Sequence, residues 1–287
     1  MKYFFLTLTV ITFLLSPSIA QNPIEHSNRN DTMSRIERAK KTYEMLFQQV
    51  QSVSNSDDPE LMTILQRFIF GDVFYTGKLA DTTRELITIT ALATNQTLSQ
   101  LRVHTKAALN IGIKPVEIRE VVYQLAPFIG FPKVLNALDT INSVFKNRGI
   151  KLPLQSETTI ADGQRFDKGK EIQTPIYGQG MKQNLKDLPG EFAEAIPRML
   201  TESCFGDFYT RGGLDLKTRE LMIFCALATL GGTDKQMGSH AVGNMKVGND
   251  KETLLAALIQ LYPYIGFPRI ANAIYAIKDA KVEKDVH

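Results

Sequence analysis

Apolar residues recur along most of this chain at spacings of three and four, the period of a helix packed on one face. From Ser34 to Gln51 they are Ile36, Tyr43, Leu46, Phe47 and Val50; from Pro59 to Phe70 they are Leu61, Ile64, Leu65, Phe68 and Ile69. A strongly apolar helix opens at Thr82-Thr83-Arg84-Glu85 and runs to about Thr94. Leu98–Ile111 forms the next, with Gly112 placed to stop it. Pro115 suits the first turn of a helix carrying Ile118, Val121, Val122 and Leu125. Gly130-Phe131-Pro132 then resets the chain into a last helix, Pro132–Asn147. No segment shows the alternation of a half-buried strand, so the pattern predicts an all-α fold.

The same order comes back. Thr83-Arg84-Glu85-Leu86 returns as Thr218-Arg219-Glu220-Leu221, and eight of the twelve positions in 83–94 and 218–229 are identical. Ile129-Gly130-Phe131-Pro132 returns as Ile265-Gly266-Phe267-Pro268, and Arg165–Ile172 echoes Arg35–Thr42. A period of about 135 residues is far longer than that of solenoid repeats and reads as two tandem copies of one helical domain. The expected boundaries are residues 34–148 and 164–282, joined by a linker over 149–163 that is rich in Gly, Pro, Ser and Thr.

Composition adds limits. With 287 residues and 44% apolar content the chain is long enough for two ordinary domains. A net charge of +3 without a basic stripe argues against a nucleic-acid partner. Lys2, the apolar run Phe4–Leu15 and the small residues Ser18-Ile19-Ala20 read as a signal peptide over residues 1–20. That run is too short to span a bilayer, so a periplasmic or secreted chain with no membrane attachment after cleavage is expected. Cys204 and Cys225 are the only cysteines, and no C-x-x-C occurs. They read as buried small hydrophobes, and export leaves a disulfide between them open.

Each copy pairs one Glu with one His. His104 follows Glu85 by nineteen residues, and His240 follows Glu220 by twenty. A carboxylate that accepts from one imidazole nitrogen leaves the other to move a proton, so Glu85, His104, Glu220 and His240 are the catalytic candidates. Structural roles compete with this. Thr82-x-x-Glu85 has the form of a capping box, although Lys217 at the matching place cannot serve as the Ser/Thr partner. A histidine on a semi-apolar face is commonly a satisfied core residue. One His and one Glu per copy are too few ligands for a structural zinc site, and no metal is expected. Gly130-Phe131-Pro132 and Gly266-Phe267-Pro268 serve as helix entries, with Phe131 and Phe267 as candidate pocket rings.

Together these motifs resemble the carboxymuconolactone decarboxylase-like family of the alkylhydroperoxidase D-like superfamily. Residues 206–221, Gly-Asp-Phe-Tyr-Thr-Arg-Gly-Gly-Leu-Asp-Leu-Lys-Thr-Arg-Glu-Leu, are most like its γ-carboxymuconolactone decarboxylase branch. The peroxidase branch carries a C-x-x-C pair where this chain has Thr97 and Gln100, or Thr233 and Gln236, so thiol peroxidase chemistry is not implied. The resemblance implies an all-helical ring assembly, here a homo-oligomer of three two-domain chains. It also implies a carboxy-lyase that needs no cofactor and acts on a small carboxylated lactone. Arg84 and Arg219 are then candidates for meeting the substrate carboxylate. An exported relative of a catabolic enzyme also fits a second reading, a non-catalytic helical oligomer that binds a small molecule or partner.

Overall fold

The computed structural model describes residues 32–50, 56–178 and 180–282; the expected signal peptide lies outside them. The described residues are helical with no strand. In the first copy α1 is Arg35–Phe47 and α2 is Pro59–Gln66. A π-helical stretch follows over Arg67–Asp72, then a 3-10 turn over Val73–Tyr75. Next come α3 (Asp81–Asn95), α4 (Leu98–Asn110), α5 (Pro115–Tyr123), α6 (Ala126–Ile129) and α7 (Phe131–Asn147). The second copy holds α8 (Arg165–Tyr177), α9 (Gly180–Asn184), α10 (Phe192–Met199) and a π-helical stretch over Leu200–Tyr209. It ends with α11 (Leu216–Leu230), α12 (Asp234–Lys246), α13 (Lys251–Ile265) and α14 (Phe267–Asp279).

The repeated helices α3 and α11 pack against each other, and α13 crosses α3. Helices α3 and α11 are buried over most of their length, polar residues included. Ile87, Ile89, Met222, Ile223 and Phe224 are fully buried there, each burial contributing about 1.5–3 kcal/mol. A single core therefore spans both copies. A smaller cluster under α1 gathers Ala39, Leu46, Ile69, Phe70, Phe74 and Ala107.

Two local devices bring α8 close to the π-helical stretch that follows α10. A Cβ at Gly206 would lie 2.5 Å from the Arg165 carbonyl oxygen, and Gly169 meets the backbone of Thr201 and Gly206 equally closely. Only glycine allows that approach. Gly71 has the same function against the Arg35 carbonyl in the first copy.

The linker is tied down across both copies. Arg119 donates to the Gln155 carbonyl at 2.8 Å, Thr159 Oγ1 donates to the Thr210 carbonyl at 2.6 Å, and the Gly212 N–H donates to the Glu157 carbonyl at 2.9 Å. The second helix departs from the expected burial: Leu61 and Ile64 are 62% and 63% exposed. The equivalent helix α10 likewise exposes Phe192, Ile196 and Met199. Both lie on the outside of the molecule, where no other part of the described chain covers them.

Candidate functional site

Glu85 sits in the first turns of α3 and His104 in the middle of α4, two helices that pack side by side. Their side chains meet, with His104 Nδ1 2.9 Å from Glu85 Oε2. The capping-box alternative does not hold. The N-cap of α3 is Ala80, which makes no side-chain cap, and Glu85 is wholly buried. In the second copy Asp215 caps α11 by accepting from the Thr218 N–H, and Glu220 is again wholly buried. His240 Nδ1 lies 3.1 Å from Glu220 Oε2. The imidazoles are nearly covered too, with side-chain exposures of 7% and 12% for His104 and His240.

Each donor that a buried carboxylate finds offsets part of the cost of removing it from water. With Nδ1–H directed at the carboxylate, each imidazole presents Nε2 elsewhere, as donor or acceptor according to its protonation. Each histidine also packs edge-on against a ring from the other copy. Tyr264 lies 5.7 Å from His104, and Phe128, the equivalent residue of the first copy, lies 5.7 Å from His240. The two sites are therefore built reciprocally across the interface between the copies.

The surroundings of the two carboxylates differ. Glu220 accepts from Tyr209 at Oε1 (2.7 Å) and from Tyr177 at Oε2 (2.5 Å), and the Tyr177 hydroxyl also lies 2.6 Å from His240 Nδ1. Burial, reinforced by the Glu220 charge, pushes both phenols far above their ordinary range and keeps them protonated. Glu85 has no such tyrosines, and its Oε1 has no hydrogen-bond partner among the described residues. Sequence reasoning missed Tyr177 and Tyr209. The signal was present: they occupy the places of Phe47, at the end of α1, and Phe74, which precedes Glu85 by eleven residues as Tyr209 precedes Glu220.

Arg84 and Arg219 are not exposed to meet a substrate carboxylate, which corrects that expectation. Both are buried at 1% and 0% exposure. Arg84 donates to the carbonyls of Val73, Thr76 and Gly77 and to Gln260 Oε1. Arg219 donates to the carbonyls of Arg211 and Gly212 and to Gln124 Oε1. Each guanidinium thus ties the loop before its own helix to the other copy. Burial lowers the Arg219 pKa, and Glu120 opposes that shift. Glu120 itself is wholly buried and accepts a two-pronged contact from Arg211 at 2.7 and 2.9 Å.

Neither Phe131 nor Phe267 packs against an imidazole. They are 61% and 57% exposed, Phe267 lying against Tyr262 and Phe131 at the edge of a surface depression of about 450 Å³ shared with Tyr123 and Arg211. The rings against the imidazoles are instead Phe47 and Tyr264 on His104, and Tyr177 and Phe128 on His240. Cys204 and Cys225 are buried free thiols, both pushed up by burial, Cys204 further by Glu220. Among the described residues no cluster of three His, Cys, Asp or Glu side chains is placed to hold a metal. None of their helices is long and apolar enough to cross a membrane.

The pattern of the Carboxymuconolactone decarboxylase family matches residues 59–142 and again 194–279, together more than half of the chain. A protein of Acinetobacter baylyi named 4-carboxymuconolactone decarboxylase is 29% identical over 102 residues, which is 35% of this chain and 76% of the relative. The two matched regions fall one within each helical copy and each includes one Glu–His pair, and the chain is a tandem member of the carboxymuconolactone decarboxylase family.

Proposed function

We propose that the chain catalyses a cofactor-free decarboxylation, or a closely related proton transfer, on a small carboxylated lactone. The supporting observation is the buried carboxylate bonded to Nδ1 of a histidine, present in both copies at 2.9 and 3.1 Å. In such a substrate the bond to the carboxylate carbon breaks and carbon dioxide leaves. Its electron pair moves through the ring double bond onto the lactone carbonyl, giving a dienolate. The substrate is its own electron sink, so the protein has to hold it, stabilise the dienolate oxygen and return a proton to carbon. An imidazolium at His104 or His240 gives up its Nε2 proton to that carbon and ends neutral, with Nδ1–H still directed at Glu85 or Glu220. Water then restores the Nε2 proton.

The test uses 4-carboxymuconolactone, the substrate in the relative's name, with the chain lacking residues 1–20. Carbon dioxide should be released and, in heavy water, one deuteron should enter the product at carbon. The His104→Ala/His240→Ala double variant should lose this turnover while remaining helical; turnover equal to wild type would reject the reading. We also propose assembly with further copies of the same chain, supported by the exposed apolar residues repeated on α2 and α10. Light scattering at micromolar concentration that gave a monomer would remove that part.

A further inference from the structure

Two of the matched positions at which the two sites differ fit one another. The last residue of α1 is Phe47 and the last residue of α8, a helix of the same length, is Tyr177. Three residues after each histidine stands Ala107 in the first copy and Gly243 in the second. A Cβ at Gly243 would lie 2.8 Å from the Tyr177 hydroxyl oxygen and 3.2 Å from Glu220 Oε2. Glycine inside a helix weakens it, so its place in α12 needs a local reason. That reason is room for the hydroxyl. The first copy has the complementary pair, a ring without a hydroxyl and a helix with the methyl.

We propose that Tyr177 is the positioning residue of the second site: its hydroxyl donates to Glu220 Oε2 and shares the His240 Nδ1–H with that same oxygen, holding the imidazole in the form whose Nε2 faces the reaction. Donor and acceptor arithmetic supports the direction. A phenol has one proton to give and lone pairs to receive. Glu220, as a carboxylate, has no proton to give, so the Tyr177 proton goes to Oε2 and the contact with His240 takes the Nδ1 proton. Tyr209 occupies Oε1 in the same way, which leaves the carboxylate held on both oxygens. The phenol stays protonated because burial, then the Glu220 charge, raises its pKa far above the ordinary value. His104 is oriented by Glu85 alone. The second site is therefore the one with a fixed imidazole, and the inference rests on the proton-transfer reading of the Glu–His pairs.

The experiment is ¹⁵N-histidine NMR on the chain lacking residues 1–20, with Tyr177→Phe/Gly243→Ala, which installs the first copy's own packing. In the wild type, His240 should show a protonated Nδ1 whose hydrogen exchanges slowly, and the Tyr177 hydroxyl proton should be observable and in contact with it. In the double variant His240 Nδ1–H exchange should speed up by about tenfold, the scale of one lost hydrogen bond, while His104 signals stay in place. Unchanged His240 exchange would show that Tyr177 only fills space and would overturn the proposal. Should the double variant not fold, the wild-type spectrum decides alone: no protected hydroxyl contact between Tyr177 and His240 overturns it as well. None of these readouts uses a substrate. Loss of turnover in His240→Ala with unchanged exchange in the double variant would spare the proposed function and sink this inference; slow exchange without any decarboxylation would do the reverse.

Discussion

Tyr209→Phe offers a clean measure of what the second site's hydrogen bonds contribute. Tyr209 is 3% exposed and its hydroxyl donates to Glu220 Oε1 at 2.7 Å. Phe74 holds the matching place in the first copy, so the ring itself fits a site of this shape. What the substitution removes is one buried hydrogen bond to a charged group, about 1.5–3 kcal/mol. At 2–4 °C per kcal/mol for a chain of this size class, the thermal midpoint should fall by about 3–12 °C at pH 7.

The pH dependence gives the argument a second, signed test. Burial, then the Glu220 charge, raises the Tyr209 pKa well above the ordinary tyrosine value of 10.0. Below the ordinary tyrosine pKa both folded and unfolded chains hold the proton, and the stabilisation is fully present. Above it the unfolded chain releases the proton and the folded chain does not. The wild-type advantage over Tyr209→Phe should thus shrink by about 1.4 kcal/mol for each pH unit beyond about 10. Urea unfolding of both proteins from pH 7 to 11 measures this. A difference under about 0.5 kcal/mol at pH 7, or one that does not change between pH 9 and 11, would refute the reasoning.

Glutamine substitutions should separate the two carboxylates. Glu85→Gln keeps an oxygen for the one imidazole that Glu85 serves and should cost little stability, whereas Glu220→Gln must drop at least one of its three donors and should lose about 1–3 kcal/mol by the same unfolding assay. In both, turnover of the lactone should fall by about an order of magnitude or more, because neither amide stabilises an imidazolium. Reduction of an organic hydroperoxide with a thiol donor should not be catalysed, since Cys204 and Cys225 are buried thiols raised in pKa; activity that disappears in Cys225→Ser would contradict this.

The helices and their duplication were legible because they rest on apolar spacing and on repeated words, both properties of the linear chain. The Glu–His contacts were legible for a related reason: the repeat held the two residue types at nearly constant separation while the cap partner of Glu85 was absent at Lys217. The arginines misled. Arg84 and Arg219 stand in a helix's first turn, where exposure is the ordinary expectation, and only the three-dimensional path of the preceding loop shows carbonyls converging on them. That Phe131 and Phe267 lie away from the imidazoles was not legible, because an apolar residue beside a Gly-x-Pro turn carries no sign of which way the turn faces.

The tyrosines show what a repeat hides as well as what it reveals. Matching words draw attention to identical positions, and Tyr177 and Tyr209 are informative because they differ from Phe47 and Phe74. An added hydroxyl in a packed interior is costly without a partner. Both hydroxyls converge on the one carboxylate, and Gly243 opens the space that one of them fills. Three substitutions at distant points of the chain thus serve a single buried charge. The second copy thus holds its histidine by a hydrogen-bonded arrangement distinct from that of the first.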